Sequence, residues 1–383
     1  MQATWTGYFK TINIANNVID RIARYSSYAQ EKRDQFTAES KFIRAFAYLE
    51  LLKMFGDGAL SGNMEGPGLP LQLTPFEGYN TGQVIPRSTN GEVYEQIVSD
   101  LKAIGPALLD KFNADLQTRT RATKGAANAL LARCYLYMHK YPEAAEAAGL
   151  VLDQQPGVYT LTTNLLQLFP PNPDGTAKSL TPEYVFAFPV SQMVSSSTSM
   201  NNNLANGYYY KRSFWINKSF ISEFEPGDLR VSQLIYPGDQ TYNVEHFNEL
   251  TTFKFNNQFG RDNVPMIRLA EVILTRAEAL ARTSSQISEE AVTLLNQVRA
   301  RSLPSAAPFE VTDFPNPDAL VERILQERKF ELAFEGFYRY DLLRTNKPLR
   351  VPDLPEGKKV LPVPQIEIDI SNNVLKQNPG YLQ

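Results

Sequence analysis

Apolar side chains recur three and four residues apart over much of this 383-residue chain, and this spacing is the feature that most constrains its fold. It places the apolar side chains on one face of an α-helix. Stripes of this kind run through residues 5–22, 42–52, 93–108 and 267–280. The sequence therefore predicts a mostly all-α protein.

Residues 124–156 predict a particular pair of helices. Ala144 and Ala148 are small enough to let two antiparallel helices approach closely, and Tyr135 would fill the gap beside them. Pro156 would end the unit. Two helices in about 34 residues, with small residues where they cross, are the pattern of a tetratricopeptide repeat.

Helical segments alternate with long insertions that have little helical period. The insertions are rich in Gly, Pro, Ser, Asn and aromatic residues. A second hairpin is predicted from Pro265, with Ser288 as the N-cap of its second helix. We expect a single domain over residues 1–383, with a tetratricopeptide-like helical scaffold at 1–56, 89–156 and 265–345 and loop insertions at 57–88 and 157–264.

Local signals set several helix boundaries. Thr89 and Glu92 have the spacing of a capping box, in which each side chain bonds the other residue's backbone N–H. Asn316 followed by Pro317 is typical of a helix N-terminus. Helices are expected over 1–28, 38–55 and 317–336, and an extended tail from residue 346 onward.

Composition excludes several classes of function. Lys and Arg (38) nearly balance Asp and Glu (41), so the basic excess typical of a nucleic-acid-binding protein is absent. No apolar run approaches the roughly 18 residues that a membrane-spanning helix needs. The single cysteine, Cys134, excludes an intramolecular disulfide and a multi-cysteine metal site, and we interpret it as a buried apolar residue. We expect no metal and no cofactor.

Two charged patterns have both a catalytic and a structural interpretation. Glu327, Glu331 and Glu335 recur every fourth residue, and paired carboxylates can act as the acid and base of a glycoside hydrolase. Three carboxylates on one helical line beside apolar residues are more typical of an ion-pair network, so we expect no enzyme. Similarly, Asp228 and Arg230 could clamp a substrate, but the pair more often fixes its own loop.

The insertions also collect aromatic and amide side chains. Flat rings can stack on sugar faces while amides bond the hydroxyls, or the rings can form a small core beneath a long loop. The sequence favours neither strongly. If the rings bind sugar, we expect residues 57–88 and 201–215 to meet on one face. The candidate ligand-binding residues are Phe76, Tyr79, Asn80, Asn203, Asn206, Tyr208, Tyr209, Tyr210 and Trp215.

Several short segments, spread over nearly the whole chain, form a recurring signature. They are Phe42–Tyr48, Phe55–Gly56, Arg87–Thr89, Glu92–Tyr94, Arg268–Ala279, Leu295–Arg301, Glu327–Gly336, Tyr340–Arg344, Pro362–Pro364 and Gln377–Tyr381.

With these segments in this order, the chain closely resembles the SusD/RagB family. The resemblance implies a non-catalytic, cell-surface nutrient-binding lipoprotein of the outer membrane, built on tetratricopeptide-like hairpins. Such a protein captures oligosaccharides or polysaccharides, or in some members peptides, for a partner SusC-like TonB-dependent transporter. A lipid anchor is expected in the full-length protein, although residues 1–5 show no export signal and no lipobox cysteine is present in this sequence. Two alternatives stay open: a cytoplasmic tetratricopeptide-type scaffold for protein interactions, and a glycoside hydrolase.

Overall fold

The computed structural model is mostly helical, which confirms the predicted fold class. The described residues are 1–25, 27–78, 84–154, 157–170, 180–189, 215–237, 250–255, 262–351 and 354–382. They fall into two compact units, the first formed by residues 1–110, 122–147 and 338–383 and the second by residues 111–121 and 148–337. The expectation of a single domain over residues 1–383 stays a prediction.

The longer helices alternate with short helices and short strands. In chain order, the helices are α1 (Gln2–Arg21), α2 (Gln30–Phe55), α3 (Asn90–Ile104), α4 (Asp115–Thr120), α5 (Lys124–Tyr137), α6 (Tyr141–Leu152), α7 (Leu165–Leu168), α8 (Lys218–Ile221), α9 (Leu229–Leu234), α10 (Leu269–Thr283), α11 (Glu289–Ser302), α12 (Pro317–Glu331), α13 (Tyr338–Arg344) and α14 (Gln365–Ile370). The strands are β1 (Pro67–Pro70), β2 (Arg87–Thr89), β3 (Tyr184–Phe188), β4 (Ile235–Pro237), β5 (Leu250–Thr252) and β6 (Val264–Arg268).

Packing follows chain order within each unit. In the first unit, α1 packs on α2, α2 on α3 and α3 on α5, while β1 and β2 pair antiparallel. In the second, α10 packs on α11 and α12, β3 pairs antiparallel with β6, and β4 pairs antiparallel with β5. Among the described helices, none is both long enough and apolar enough to cross a membrane.

The predicted hairpin at residues 124–156 corresponds to α5 and α6. His139, in the left-handed region with φ 59°, lies in the short turn between them. Tyr135, Ala144 and Ala148 are buried, as predicted, and the two alanines are fully excluded from solvent. Cys134 is also fully buried, and burial raises the pKa of its thiol, which fits the predicted role as a small apolar residue.

The predicted helix caps are present. The Thr89 backbone N–H donates to Glu92 Oε2 at 2.8 Å, and the Glu92 N–H donates to Thr89 Oγ1 at 3.1 Å. Ser288 accepts from the N–H of Ala291, and Asn316 accepts from the N–H of Ala319. These bonds satisfy N–H groups that have no partner inside their helix.

Three predicted helix boundaries and the predicted conformation of the tail are wrong. Helix α1 ends at Arg21, before residue 28, and a short 3-10 turn follows it. Helix α2 begins at Gln30, before residue 38, because its first turns contain good helix formers. The prediction missed these turns because they lack an apolar stripe. Helix α12 ends at Glu331, before residue 336, since Phe334 and Gly336 adopt positive φ angles of 70° and 83°. The tail after residue 346 is not extended throughout, because it contains α14.

The early end of α12 changes how its three carboxylates are presented. Glu327 and Glu331 lie on the helix, whereas Glu335 lies in the turn that follows it. All three are buried and paired with cations. The prediction of a buried ion-pair network is therefore confirmed, although the carboxylates do not share one helix.

Arg268, at the end of β6, is the hub of this network. Its guanidinium contacts Glu183 at 2.6 Å, Glu331 at 2.9 Å and Glu335 at 2.8 Å. Arg301 also pairs with Glu183, at 2.7 Å, and with Glu331, at 2.6 Å. The network thus connects β6, the residue before β3, α11 and the end of α12.

A second cation extends the same network. Arg230 is held by both oxygens of Asp228, with a shortest distance of 2.7 Å, and contacts Glu327 at 2.6 Å. The structural interpretation of the Asp228 and Arg230 pair is therefore confirmed. Lys254 donates to the Glu331 carbonyl and to Glu335 Oε1.

The C-terminal segment is fastened to the end of α2. The Asn378 side-chain amide donates to the carbonyls of Phe55, at 2.9 Å, and Leu361, at 2.8 Å. Arg87 donates to the Phe55 and Pro67 carbonyls. Phe55 is the last residue of α2, so no backbone N–H inside the helix donates to its carbonyl. The side chains of Asn378 and Arg87 supply the missing donors.

The burial of Ala144 allows a test of the hairpin. Ala144→Leu should lower the free energy of unfolding by about 1–3 kcal/mol, because the site has no room for a larger side chain. Urea denaturation would measure the loss. Glu146→Leu, at an exposed position of the same helix, is the matched control and should change the midpoint little. Equal midpoints for Ala144→Leu and the parent would contradict close packing at this site.

The network predicts sensitivity to acid. Burial alone would raise the pKa of the Glu331 carboxyl, but the cations around it, chiefly Arg301 and Arg268, outweigh burial and hold that pKa well below its ordinary value of 4.5. Unfolding therefore favours proton uptake, so the stability from this carboxylate is present above pH 4.5 and is lost as the pH falls further.

Glu331→Gln should lower the free energy of unfolding at pH 7 by roughly 3–5 kcal/mol, because it leaves buried cations without their counter-charge. The free energy of unfolding of this variant should also decrease less than that of the parent between neutral and acid pH. Denaturant titrations at both pH values would check this, with the exposed Glu322→Gln on the same helix as control. A variant as stable and as acid-sensitive as the parent would contradict the network's role.

Candidate functional site

One groove in the first unit has a volume of about 380 Å³ and combines apolar and polar lining residues. We call it the Phe76 groove. Phe76 lies at its edge with 45% of its surface exposed, while Trp5 closes the floor and is almost fully buried. Its apolar lining residues are Trp5, Phe9, Pro70, Phe76, Val84, Ile85, Ile370 and Leu375, and its polar ones are Thr6, Lys10, Asn13, Gln72, Glu367 and Ser371.

Helix α1 holds the loop that carries Phe76. Asn13 Oδ1 accepts a 2.7 Å hydrogen bond from the Phe76 backbone N–H. One turn further along, the Asn16 amide donates to the carbonyls of Gln72, at 2.8 Å, and Thr74, at 3.2 Å. A segment without helix or strand structure is thus fixed at several backbone groups by side chains of one helix.

Helix α2 supplies a second set of supports from below. Arg44 forms a buried bidentate pair with Asp100, with both distances at 2.8 Å. The same guanidinium donates to Asn16 Oδ1 at 2.8 Å and to the Leu73 carbonyl at 3.3 Å. A buried ion pair therefore orients the asparagine that in turn holds the loop.

Tyr48 completes the support. Its hydroxyl donates to the Gln72 carbonyl at 3.0 Å, and burial raises its pKa, so the hydroxyl remains a proton donor. Aromatic contacts continue from Tyr48 to Phe9, with ring centroids 6.5 Å apart, and from Phe9 to Trp5, at 4.9 Å. The groove floor is therefore continuous with the packed helices.

Two charged groups line the groove. Lys10 is exposed, whereas Glu367 on α14 is half-buried. Burial raises the pKa of the Glu367 carboxyl. Within the described part of the chain, neither side chain has a hydrogen-bond or ion-pair partner.

The structure locates two of the predicted ligand-binding residues. Phe76 lines the groove, and Trp215 lies in the second unit with 50% of its surface exposed. Next to Trp215, the Ile216 N–H donates to the Leu250 carbonyl at 2.8 Å. The prediction that the two long insertions meet on one face stays untested. The other candidates, Tyr79, Asn80, Asn203, Asn206, Tyr208, Tyr209 and Tyr210, lie outside the described residues.

Most of the groove was missed by the sequence analysis. Asn13, Lys10 and Glu367 lie on helices that were interpreted as scaffold or on a tail expected to be extended. A signal for α14 was present, since Pro364 directly precedes its first turn. The carboxylates that suggested a hydrolase, Glu327, Glu331 and Glu335, do not line this groove.

Two family models match different parts of the chain, and both describe SusD-type proteins. A family model described as "Starch-binding associating with outer membrane" matches residues 1–136, and one described as "SusD family" matches residues 239–359.

Relatives cover the whole chain. SusD-like protein P2 of Formosa agariphila is 25% identical over an alignment that covers 100% of this chain and 81% of the relative. The crystal structure of a SusD superfamily protein from Bacteroides thetaiotaomicron, 24% identical, superposes with a TM-score of 0.81 over 98% of this chain and 85% of that one. A structure named "Laminarin binding SusD-like protein", also 24% identical, gives a TM-score of 0.76 over 100% and 86% of the two chains. These matches confirm that the chain resembles the SusD/RagB family over nearly its whole length.

Proposed function

We propose that this protein binds oligosaccharides or polysaccharides at the outer-membrane surface and passes them to a SusC-like TonB-dependent transporter. It does so without catalysing a reaction, and the full-length protein is lipid-anchored. Support comes from the similarity to SusD-like proteins, since one similar structure is described as laminarin-binding and one matching family model as starch-binding. The Phe76 groove is the observation that carries the proposal for this chain.

The groove suits the two faces of a sugar. A saccharide offers apolar ring faces and a rim of hydroxyl groups. Phe76 presents a half-exposed flat ring, while Gln72, Asn13 and Glu367 supply polar groups around it. Aromatic rings contribute roughly 0.5–1.5 kcal/mol beyond buried area when they stack, so one or two rings give a modest affinity from which the ligand can be released.

The supports beneath the loop add to this fit. Because Asn13, Asn16 and Arg44 already fix the backbone around Phe76, little conformational entropy is lost when a ligand binds. Trp215 is the second exposed ring that we assign to glycan binding. The remaining predicted residues, from Tyr79 and Asn80 to Asn203, Asn206 and Tyr208–Tyr210, belong to the same proposal.

The hydrolase alternative has lost its supporting residues. A glycoside hydrolase needs two carboxyls that face the scissile bond. Glu327, Glu331 and Glu335 are instead buried and paired with Arg230, Arg268 and Lys254. A cytoplasmic scaffold does not fit the matching family model, which is described as associating with the outer membrane. It also does not account for a groove with the exposed ring of Phe76 at its edge.

A glycan array followed by titration calorimetry would test the proposal. The parent should bind at least one oligosaccharide, and Phe76→Ala should weaken that binding roughly three- to tenfold, because one stacking partner is lost. Trp215→Ala should weaken it by a similar factor, and thermal denaturation should show both variants folded.

Tyr338→Ala is the matched control, since Tyr338 is also an exposed aromatic residue of the first unit, at 43%, and does not line the groove. Its affinity should equal that of the parent. A parent that binds no glycan would refute the function. A Phe76→Ala variant that binds as tightly as the parent would show that the groove is not the site.

A further inference from the structure

The two charges of the Phe76 groove are in unlike surroundings. The Lys10 ammonium is exposed, so water and salt screen its charge from a bound ligand. The Glu367 carboxylate is half-buried against the apolar lining, where the effective dielectric constant is lower and a charge acts more strongly at short range. Of the two charges, that of Glu367 therefore dominates the interior of the groove.

Glu367 also has unused hydrogen-bonding capacity. An ionised carboxylate can accept about four hydrogen bonds, and within the described residues no protein donor contacts this one. By contrast, the buried carboxylate of Asp100 in the same unit receives two donors from Arg44. The pKa of Glu367 is raised by burial, in agreement with a carboxylate that has lost water without gaining a partner in the described part of the chain.

A neutral saccharide would supply hydrogen-bond donors to the Glu367 carboxylate. Its hydroxyl groups are donors, and bonds to an ionised acceptor are roughly twice as strong as those between neutral groups. A uronate or sulfate group in the same place would bring a like charge next to the carboxylate in a poorly screened groove, which is unfavourable. The same carboxylate therefore attracts one ligand class and repels the other.

We propose that Glu367 is a specificity-determining residue, which selects neutral saccharides through hydroxyl groups that donate to its carboxylate and which excludes anionic saccharides by charge. This inference rests on the proposed glycan binding at the Phe76 groove. It assigns a role to a residue of α14, the helix that the sequence pattern did not reveal.

The test compares neutral and anionic ligands on one array. Laminarin, cellohexaose and xylohexaose are the neutral probes, and polygalacturonate, alginate and chondroitin sulfate are the anionic ones. The parent should bind at least one neutral probe and no anionic probe with comparable affinity. Glu367→Gln keeps the shape of the side chain and removes its charge. It should therefore weaken the binding of neutral probes and strengthen the binding of anionic ones. The ratio of the two affinities should fall by about tenfold or more, which corresponds to roughly 1.4 kcal/mol.

Asp369→Asn is the matched control, because Asp369 is on the same helix, is exposed, and accepts from Gln365 outside the groove lining. It makes the same change in net charge and should leave the preference unchanged. A shift of equal size in both variants would show a general charge effect and overturn the assignment, as would an unchanged preference in Glu367→Gln.

The outcomes separate the two proposals. A parent that binds neither class refutes glycan binding itself, and this inference with it. A parent that binds anionic probes as tightly as neutral ones retains glycan binding but refutes the role of Glu367. Thermal denaturation of Glu367→Gln provides the folding check, and the absence of a side-chain partner among the described residues predicts a melting temperature close to that of the parent.

Discussion

The buried charge network around Arg268 is the constraint on which the second unit depends. A guanidinium that is almost fully excluded from water is tolerable only if its donors are satisfied, and Arg268 meets three carboxylates from two separate parts of the chain, Glu183 and the segment of Glu331 and Glu335. Each carboxylate must also meet cations, so Glu183 and Glu331 share Arg301 as well. Such mutual dependence fixes β6, α11 and the end of α12 to one arrangement, because any shift would leave a charge buried without a partner.

The first unit uses the same device on a smaller scale, and there it serves the candidate site. Arg44 and Asp100 form a closed pair, and the remaining donors of Arg44 reach Asn16 and the Leu73 carbonyl. Through these bonds a buried ion pair determines where the loop before Phe76 lies. The backbone that carries the exposed ring is therefore positioned by side chains of α1 and α2.

The helical architecture was readable from the sequence because apolar stripes and caps are local signals. The capping box at Thr89, the buried alanines at 144 and 148 and the cap at Asn316 follow from residues a few positions apart. Boundaries failed where the deciding factor was backbone conformation or tertiary contact. The spacing of apolar residues does not indicate that Phe334 adopts a positive φ, or that the polar turns before Ala38 are helical.

The candidate site was harder to predict, because its residues are close in space and distant in sequence. Phe76 stood out as an aromatic residue in a long insertion. Its neighbours did not, because Lys10 and Asn13 occupy a helix and Glu367 is a lone carboxylate near the chain's end. Long-range packing brings these residues to one groove, and a single sequence contains no direct record of it.

The residues that identify the family and the residues that line the groove are different sets. Signature residues such as Arg268, Glu331 and Asn378 are buried, and their bonds hold strands, helices and chain ends together. None of the signature segments contributes a lining residue to the Phe76 groove. A change at Phe76 or Glu367 therefore leaves the bonds of the signature residues intact, whereas a change at Arg44 or Tyr48, in the signature segment Phe42–Tyr48, would disturb the loop that carries Phe76. The signature segments therefore belong to the scaffold, and the proposed ligand selectivity lies in residues outside them, Phe76 and Glu367.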